Sequence, residues 1–524
     1  MESNWDEKTD VVVAGGGLSG SVSAIEAHNA GADVLVLDKA EFAGGLSILS
    51  GGVLKCVSDV PPATEYLRII SSGRIDETLI RPFAQGLYDN LDYLRELCQI
   101  NGGVVQVHSS QKGLGQGLYP LPGKEAFYEI RVASIPGFKG FSWVQHRTLA
   151  AVNLMKVVFD HLEKRDIAIR TSTAVKRLVT DADGMVTGVA AQYQGREITI
   201  QARRAVILAT AGFEQNPWLL MQYLQGKPFF SMAPLTHTGD GIIMSQKVGA
   251  ALWHMWHVHG SYGFKFPEFP IAFRHIFGGE RNPRRVMPWI AVDRFGSRYM
   301  NEYQPAPQDT NHRPMELCDP DIPGYPRIPS YIILDDIGRR RGPIAQPLSI
   351  GEQAYHWSKD NSVEIERGWI LRAGTLRELA DKIVQRPENE GLMDADTLES
   401  SVLQWNEVVS RGNDSFRRPP GTMIPIKVSP FYAVPVWPVI SNTQGGPVHN
   451  VRQQVIDAFG QPIPHLYAVG ELGSFFGHLY ELSANLSECL YAGRIAGKEA
   501  AKEASWGGLA GIDSHGTLYL PGHF

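Results

Sequence analysis

A glycine-rich turn near the start of the chain has the residue types and the spacing that bind a pyrophosphate. The apolar run at 10–14 predicts a buried strand, GGGLSG follows it, and a stretch with helical spacing comes next. Gly15 allows the tight turn, Gly17 lets the backbone approach a phosphate, and Gly20 lets the helix pack close to the strand. The N-terminus of the helix then faces the phosphates, so the segment predicts a dinucleotide site.

An acidic residue stands where such a site needs a partner for a ribose. The second apolar run, DVLVLDKA (33–40), predicts another buried strand that leads into Asp38 and Lys39. The Asp38 carboxylate can accept a hydrogen bond from a ribose hydroxyl, and Lys39 is a further candidate cofactor contact. The order of strand, turn, helix, strand and acid separates this segment from a merely glycine-rich turn.

A second loop rich in glycine and serine follows this strand and favours FAD over NAD. A nicotinamide enzyme has no need of such a loop. The longer FAD runs on past the first turn, and its flavin ring needs close contact with the backbone. The candidate contacts in the loop are Gly44, Gly45, Ser47, Ser50, Gly51 and Gly52.

Four longer motifs carry a family resemblance. They are THTGDGIIMSQKVGAAL (236–252), VDRFGSRYMNEY (292–303), PFYAVPVWPVISNTQGGP (430–447) and PIPHLYAVGEL (462–472). With them, the chain resembles the flavoprotein family of fumarate reductases, succinate dehydrogenases and 3-ketosteroid dehydrogenases over most of its length. Segments 328–341, 375–383 and 402–409 look most similar to the ketosteroid dehydrogenase branch. The resemblance implies an α/β fold, with a discontinuous Rossmann-like FAD-binding domain and an inserted α+β cap domain for the substrate.

The same resemblance implies further cofactor contacts in TSTAVKRLV (171–179), in RRAVILATAGF (203–213) and in three later motifs. The residues are Val175, Ala211, Gly212, Asp240, Gly470, Glu471, Asn485, Leu486 and Ser487. In the family layout, the last three face the flavin pyrimidine carbonyl, where a helix dipole stabilises reduced, anionic flavin. The succinate dehydrogenase branch attaches FAD through a histidine in the loop after the second strand. Residues 43–52 contain no histidine, so we expect non-covalent FAD.

The predicted domain order follows from this layout. Residues 1–255 form the first part of the FAD-binding domain, and 256–429 form the substrate cap domain. Residues 430–505 return to the FAD-binding domain, and 506–524 form a C-terminal extension. Substrate is expected between cap and flavin, where domain faces meet.

The resemblance also shows where the arginines of the fumarate reductases are missing. When the chains are aligned on the final AGRIAG, the arginine that holds a carboxylate falls on Tyr480. The arginine that donates a proton lies eight residues after the conserved G-x-R arginine, and that position is Ala306, counted from Arg298. Arg298 itself is read as a structural ion pair with Glu302. Because paired arginine donors are the natural holders of a carboxylate, their loss argues against fumarate or succinate as substrate.

Tyr480 becomes the main catalytic candidate. A phenol can donate a hydrogen bond to a ketone oxygen, or accept a proton as phenolate, and ketosteroid dehydrogenases use tyrosines for both tasks. The unperturbed pKa of a phenol is about 10, so a base role needs a lowered pKa, whereas the neighbouring Glu481 would raise it. His478 and His259 are candidates for the proton path. The alternative is that Tyr480 only packs on the flavin edge.

The predicted pocket wall, WHMWHVHGSYGF (253–264) with HLYE (478–481), is aromatic and suits an apolar ring. We therefore predict an FAD-dependent dehydrogenase that introduces a double bond next to the ketone of a cyclic, largely apolar substrate. It would pass electrons to an external acceptor. The first alternative is an enoate or enone reductase, which runs the reaction backwards. The second is a flavoprotein electron-transfer subunit that needs a partner.

Composition narrows the other possibilities. The net charge of -6 gives no sign of a nucleic-acid partner, and no apolar run is long enough to span a bilayer. The acidic, polar N-terminus is unlike a secretory signal, so a cytoplasmic protein is expected. The four cysteines form no CxxC pair, which gives no case for haem, an iron–sulfur cluster or zinc. His254, His257 and His259 share no face of a helix or strand, so we expect no metal there.

Overall fold

The computed structural model describes residues 5–108, 115–144, 149–276, 287–304, 306, 309–348 and 355–505. Its strands are β1 Glu7–Ala14, β2 Val34–Leu37, β3 Val53–Val57, β4 Val104–His108, β5 Phe127–Ser134, β6 Ala168–Arg170, β7 Thr173–Thr180, β8 Val186–Tyr193, β9 Arg196–Leu208, β10 Phe230–Ser231, β11 Leu252–Trp253, β12 Val258–Phe264, β13 Phe273–Arg274, β14 Ile290–Val292, β15 Ser330–Asp335, β16 Leu371–Ala373, β17 Phe431–Thr443, β18 Gly446–Pro447, β19 Gln454–Ile456 and β20 Pro462–Ala468.

Twelve α-helices lie between these strands or follow them in the described residues. They are α1 Leu18–Asn29, α2 Gly45–Leu49, α3 Val60–Ser71, α4 Glu77–Cys98, α5 Leu149–Lys164, α6 Pro217–Tyr223, α7 Asp240–Lys247, α8 Asp336–Arg340, α9 Ser362–Glu366, α10 Leu376–Val384, α11 Ala395–Arg411 and α12 Ala484–Lys502. Short 3-10 helices cover Lys124–Ala126, Arg313–Glu316, Pro387–Asn389 and Pro420–Thr422. Among these helices, none is both long enough and apolar enough to cross a membrane.

An eight-stranded sheet carries the predicted dinucleotide motif. Its order is β19-β20-β9-β1-β2-β6, and β8 joins β7 to β9. β1 runs parallel to β2 and β9, and β20 runs parallel to β9. The apolar part of β1 is buried, as expected for a central strand covered on both faces. The predicted α/β Rossmann-like fold with an additional domain is confirmed.

Helices α1 and α12 pack against each other on one face of this sheet. Glycines of α12 allow the close approach, because a Cβ on Gly493 would lie 2.8 Å from Ser19 O and one on Gly497 would lie 2.3 Å from Ser23 O. The last helix of the described chain therefore supports the first one, which begins at the glycine-rich turn.

A seven-stranded sheet forms the centre of the second unit. Its order is β13-β12-β17-β15-β14, and β10 and β16 also pair with β17. β17, which the predicted boundaries assign to the return into the FAD-binding domain, is the hub of this sheet. The inserted unit thus shares residues 431–443 with the predicted return. The domain division remains a proposal, and the extension 506–524 lies outside the described residues.

Capping and ion-pair contacts stabilise the inserted segment. Asp394 caps α11 by accepting a hydrogen bond of 2.8 Å from Thr397 N. Arg298 forms ion pairs with Glu302 at 2.9 Å and with Asp414 at 2.8 Å. The fully buried Arg418 reaches Glu302 at 3.0 Å. Arg298 therefore belongs to a buried structural network of the cap.

Candidate active site

A groove opens where β1 and β2 end. Ten of the predicted cofactor contacts line it: Gly15, Gly17, Asp38, Lys39, Gly45, Ser47, Val175, Ala211, Asp240 and Glu471. These residues come from the strand ends and turns of the eight-stranded sheet. The structure therefore brings these predicted residues, which come from segments far apart in the chain, together in one groove.

The remaining predicted contacts do not line this groove: Gly20, Gly44, Ser50, Gly51, Gly52, Gly212, Gly470, Asn485, Leu486 and Ser487. Gly20 has a packing role instead, since a Cβ there would lie 1.9 Å from Gly15 O. The groove also includes residues that the prediction missed, among them Thr210, His237 and Cys489. Thr210 and His237 lie in motifs quoted above but were not selected as contacts, and the three residues come together only where β9, α7 and α12 meet.

The turn after β1 has the geometry that the motif requires. Gly15 has φ +114°, and a Cβ there would lie 2.1 Å from Ala209 O. At Gly17, the nearest atom to an added Cβ is Ser47 Oγ at 3.7 Å. The positive φ and the close approach of Ala209 therefore require glycine at position 15, whereas the absence of a side chain at Gly17 leaves open space in the groove.

Replacing Gly17 with valine should leave the fold intact and remove cofactor binding. The backbone there, φ -74° and ψ -172°, suits any residue. We expect FAD affinity to fall by at least about two orders of magnitude, because the added methyl groups take the space of the pyrophosphate. The ratio of flavin to protein absorbance measures binding, and circular dichroism checks the fold. Gly421→Val is the control, since a Cβ there meets nothing within 4 Å. Full flavin content in Gly17→Val would contradict the assigned path of the cofactor.

Asp38 and Lys39 hold the rim of the groove. Asp38 accepts hydrogen bonds from Gly16 N and Ala40 N, both at 2.8 Å, so it shapes the turn as well as facing the groove. Burial raises the pKa of Asp38. Lys39 Nζ pairs with Asp240 Oδ2 at 2.8 Å and thereby ties the loop after β2 to the start of α7.

Two buried polar atoms on the groove wall have no hydrogen-bond partner within the described ranges: Thr210 Oγ1 and Glu471 Oε1. Buried polar atoms are nearly always paired in native proteins, so these two fit a polar ligand. Together with the open face of Gly17 and the N-terminus of α1, the wall fits a dinucleotide cofactor.

Glu471 belongs to a buried acidic cluster beside the groove. Ligand atoms of Glu214, His237 and Glu471 lie within 4.8 Å of one another. Burial and the neighbouring Glu214 raise the pKa of Glu471 well above its usual value. Although burial opposes it, the hydrogen bond from His237 helps to lower the pKa of Glu214. The two carboxyl groups therefore share a proton, with the charge on Glu214.

A second cluster surrounds Tyr480, which is only 4% exposed. Its hydroxyl accepts a hydrogen bond of 3.3 Å from Asn485 N, and its ring centroid lies 4.2 Å from that of His259. Burial raises the pKa of Tyr480, and the charge of Glu481 adds to the effect. The side chain is therefore a phenol at neutral pH, which favours the donor role over the base role.

Asp309, which the sequence reading did not single out, is the hub of this cluster. The buried carboxylate accepts from Tyr119 OH at 2.7 Å and from Tyr480 N at 3.1 Å. Its other oxygen lies 3.3 Å from His257 Nε2 and 3.9 Å from His259 Nδ1. Burial alone would raise the pKa of Asp309, but the hydrogen bond with His257 and the nearby His259 and Arg313 hold it well below its usual value. Asp309 is therefore a carboxylate.

The predicted proton-path histidines have different positions. Burial lowers the pKa of His259 to about 4, so its imidazole is neutral at neutral pH beside Tyr480 and Asp309. His478 is partly exposed on the rim, 6.1 Å from Trp256 between ring centroids. Burial and nearby arginines lower its pKa. The structure joins His259 to Tyr480 and leaves His478 at the entrance.

The loop that carries Tyr480 is fixed by a buried ion pair. Glu481 lies 3.2 Å from Lys55 Nζ, and it accepts hydrogen bonds from Tyr66 OH at 2.6 Å and Leu118 N at 2.8 Å. Both partners of the pair are fully buried. The position of Tyr480 is thus set by its neighbour in the sequence.

Residues at the start of α12 link Tyr480 to Glu488 through hydrogen bonds. The Asn485 side chain donates to Glu488 Oε2 at 3.2 Å, and Ser474 Oγ donates to the same oxygen at 2.7 Å. Burial raises the pKa of Glu488 to about 7. Since the amide of Asn485 already donates to Tyr480 and Ser487 Oγ donates to Lys55 O, their predicted flavin contacts stay predictions.

The position that replaces the second fumarate reductase arginine is Ala306, which is fully buried. Two other arginines, Arg313 and Arg74, lie near His478: Arg313 Nη2 donates to His478 O at 2.6 Å, and both guanidinium groups lie over the Trp256 ring. Neither belongs to a motif, so sequence analysis alone does not select them.

Comparison with known proteins defines the class. The family described as FAD binding domain matches residues 10–486, and the chain belongs to this family. It is 23% identical over 518 residues to the fumarate reductase (cytochrome) of Shewanella frigidimarina, covering 95% of this chain and 77% of that one. It is 25% identical over 578 residues to the 4-oxocyclohexanecarboxylate 2-dehydrogenase of Sinomonas cyclohexanicum, covering 95% and 93%.

A solved structure agrees with the fold. The 3-ketosteroid Δ1-dehydrogenase of Sterolibacterium denitrificans, in complex with 1,4-androstadiene-3,17-dione, superposes with a TM-score of 0.75 at 21% identity, over 94% of this chain and 99% of that chain. The predicted family and FAD as cofactor are confirmed, and the chain is an FAD-dependent oxidoreductase. Attachment without a covalent bond remains a prediction.

Proposed function

We propose that this enzyme acts on a CH–CH bond and introduces a double bond next to the ketone of a cyclic, largely apolar substrate. The observation that carries the proposal is the Tyr480 hydroxyl. Its oxygen accepts from Asn485 N, but its proton has no acceptor in the ranges that the structure describes. A buried O–H without an acceptor is suited to a carbonyl oxygen of a ligand.

The ketone makes the hydrogen on the neighbouring carbon acidic, and removal of that proton places negative charge on the ketone oxygen. A donor aimed at this oxygen lowers the barrier most when it is held in place before the reaction. Tyr480 meets this condition, because Asp309 fixes its backbone and Asn485 fixes its hydroxyl. The hydrogen bond from Asn485 also polarises the phenol and strengthens it as a donor.

His259 is the proposed acceptor of the acidic proton. It is neutral, its ring packs against that of Tyr480, and its Nδ1 faces Asp309. With the proton of the neutral ring on Nδ1, Nε2 is free to accept a proton. The Asp309 carboxylate then stabilises the imidazolium that forms. When bound, FAD supplies the two-electron redox chemistry of such a reaction.

Two relatives support a ring ketone as the substrate class. One is named as a dehydrogenase of 4-oxocyclohexanecarboxylate, and the other is a dehydrogenase of 3-ketosteroids. The reverse reaction has support as well, because a fumarate reductase is similar at comparable identity. Tyr480 and His259 would serve both directions. Electrons would pass to an external acceptor.

An anaerobic half-reaction tests the proposal. The oxidised holoenzyme is mixed with saturated cyclic ketones, with 3-ketosteroids and with succinate, and the absorbance of oxidised flavin is followed. We expect bleaching by a cyclic ketone, with a product that has lost two hydrogens, and none by succinate. Bleaching by succinate alone would contradict the proposal. If no ketone reacts but an enone or enoate reoxidises the reduced enzyme, the reductase assignment is correct.

A further inference from the structure

An exposed tryptophan stands at the entrance to the Tyr480 cluster. Trp256 is 38% exposed, although its neighbours Met255 and His257 are buried. The guanidinium of Arg74 lies 5.0 Å from the centre of its ring, and that of Arg313 lies 5.6 Å away. Arg74 comes from the turn between α3 and α4, and Arg313 comes from the inserted segment. The two cations therefore meet over one ring from two parts of the fold.

Among the described residues, the carboxylate of Asp309 supplies one negative charge for the two positive charges at this place. Arg74 is exposed and has no carboxylate partner in the part of the chain that the structure describes. Arg313 lies 3.7 Å from Asp309, but that carboxylate is already shared among Tyr119, Tyr480 and His257.

A buried nitrogen of His478 near these arginines, Nδ1, also lacks a hydrogen-bond partner among the described residues. Stacking on Trp256 uses the faces of the guanidinium groups and leaves N–H groups at their edges available. The two guanidinium groups and the unpaired imidazole nitrogen are suited to bind an anionic oxygen group such as a carboxylate.

Resting on the proposed function, we propose that Arg74, Arg313 and His478, ordered by Trp256, bind a carboxylate of the substrate. The enzyme would then prefer ring ketones that carry an acid group over neutral ones. These arginines are not at the two positions where the resemblance puts the fumarate reductase arginines, which are Tyr480 and Ala306 here. The enzyme would thus bind the acid group of the substrate with Arg74 and Arg313, while the phenol of Tyr480 replaces the inner arginine.

Binding of a non-reacting probe tests the subsite. Calorimetry compares cyclohexanecarboxylate with cyclohexanecarboxamide on the oxidised holoenzyme. We expect the carboxylate to bind about tenfold tighter or more, as for hydrogen bonds to a charged group, and the difference to shrink as salt is added. Equal binding of acid and amide would overturn the proposal.

Arg74→Gln should abolish the preference for the acid, and Arg74→Lys should keep part of it, because the charge remains while the fork is lost. Arg74 has no structural ion pair, so its replacement should not affect folding. The control is Arg411→Gln, a cap arginine with 73% of its side chain exposed. An unchanged preference in Arg74→Gln would exclude this arginine from the subsite and overturn the proposal.

A kinetic comparison separates this subsite from the proposed function. If a keto acid and its methyl ester are both oxidised, Arg74→Gln should raise KM for the acid about tenfold and leave kcat and the ester unchanged. Equal effects on both substrates would overturn the subsite and leave the ketone chemistry standing. If neither is oxidised, the proposed function fails, while the calorimetric preference still decides the subsite.

Discussion

Tyr480→Phe should lower kcat by about 10²–10³-fold, the usual cost of losing one donor to a developing oxyanion. Phenylalanine keeps the ring that packs on His259 and Phe476 and removes only the hydroxyl. Because Tyr480 does not line the cofactor groove, flavin content and the flavin spectrum should stay as in the wild type. Steady-state turnover and flavin absorbance are the measurements.

Tyr491→Phe is the matched control. This tyrosine is also buried, it lies in α12, and its ring packs on Phe83. The turnover of the Tyr491→Phe enzyme should equal that of the wild type. Equal turnover in Tyr480→Phe itself would leave Tyr480 with a packing role only, and the proposed donor would have to be another group.

Asp309→Asn should have the second largest effect. Asparagine has nearly the same shape and can still accept from Tyr119 and from the backbone of Tyr480, so the variant should fold. The charge is lost, however, and with it the stabilisation of a protonated His259. We expect kcat to fall by about 100-fold, within the range of general acid–base effects.

The stability of Asp309→Asn gives a second readout with a defined pH dependence. A carboxyl group with a lowered pKa contributes stability above its unfolded pKa and loses it as pH falls through the folded value. For Asp309 the folded pKa is far below the usual range. The thermal midpoint of the variant should therefore lie below that of wild type by a constant amount from pH 5 to 8. The gap should narrow only below about pH 4.

Asp381→Asn, a change of an exposed residue on α10, is the control and should alter neither readout. A gap between wild type and Asp309→Asn that widens as pH falls would contradict an ionised Asp309. Unchanged turnover would contradict its role beside His259.

The cofactor groove was predictable from sequence because its signal is local. A strand, a turn with Gly15 and Gly17, a helix and a strand before Asp38 specify one another within forty residues. The cap of α11 by Asp394 is local in the same sense. Such patterns depend on neighbouring residues, and neighbouring residues are what a single sequence shows.

The Tyr480 cluster was only half predictable. Tyr480 and His259 emerged from the resemblance, but Asp309 lies in a loop-like stretch without periodicity. Its partners Tyr119 and Tyr480 lie 190 and 171 residues away in the chain. The protonation state of Tyr480 could not be predicted from the sequence either, because burial, which raises its pKa, is a property of the fold.

The strand β17 shows the same limit for domain organisation. Its apolar run predicts a buried strand, but an apolar run does not indicate which strands will pair with it. Its pairing with β12 and β15 places it in the second sheet, although the sequence placed it in the return to the first domain.

The packing of α12 on α1 affects how the protein is made. At about 5–20 residues per second, the ribosome needs tens of seconds or more to reach α12 after completing α1. During that time α1 lacks the surface that Gly493 and Gly497 provide for it. We therefore expect cofactor capture to follow the synthesis of α12. Chaperones would then engage the segment around α1 until α12 has been made.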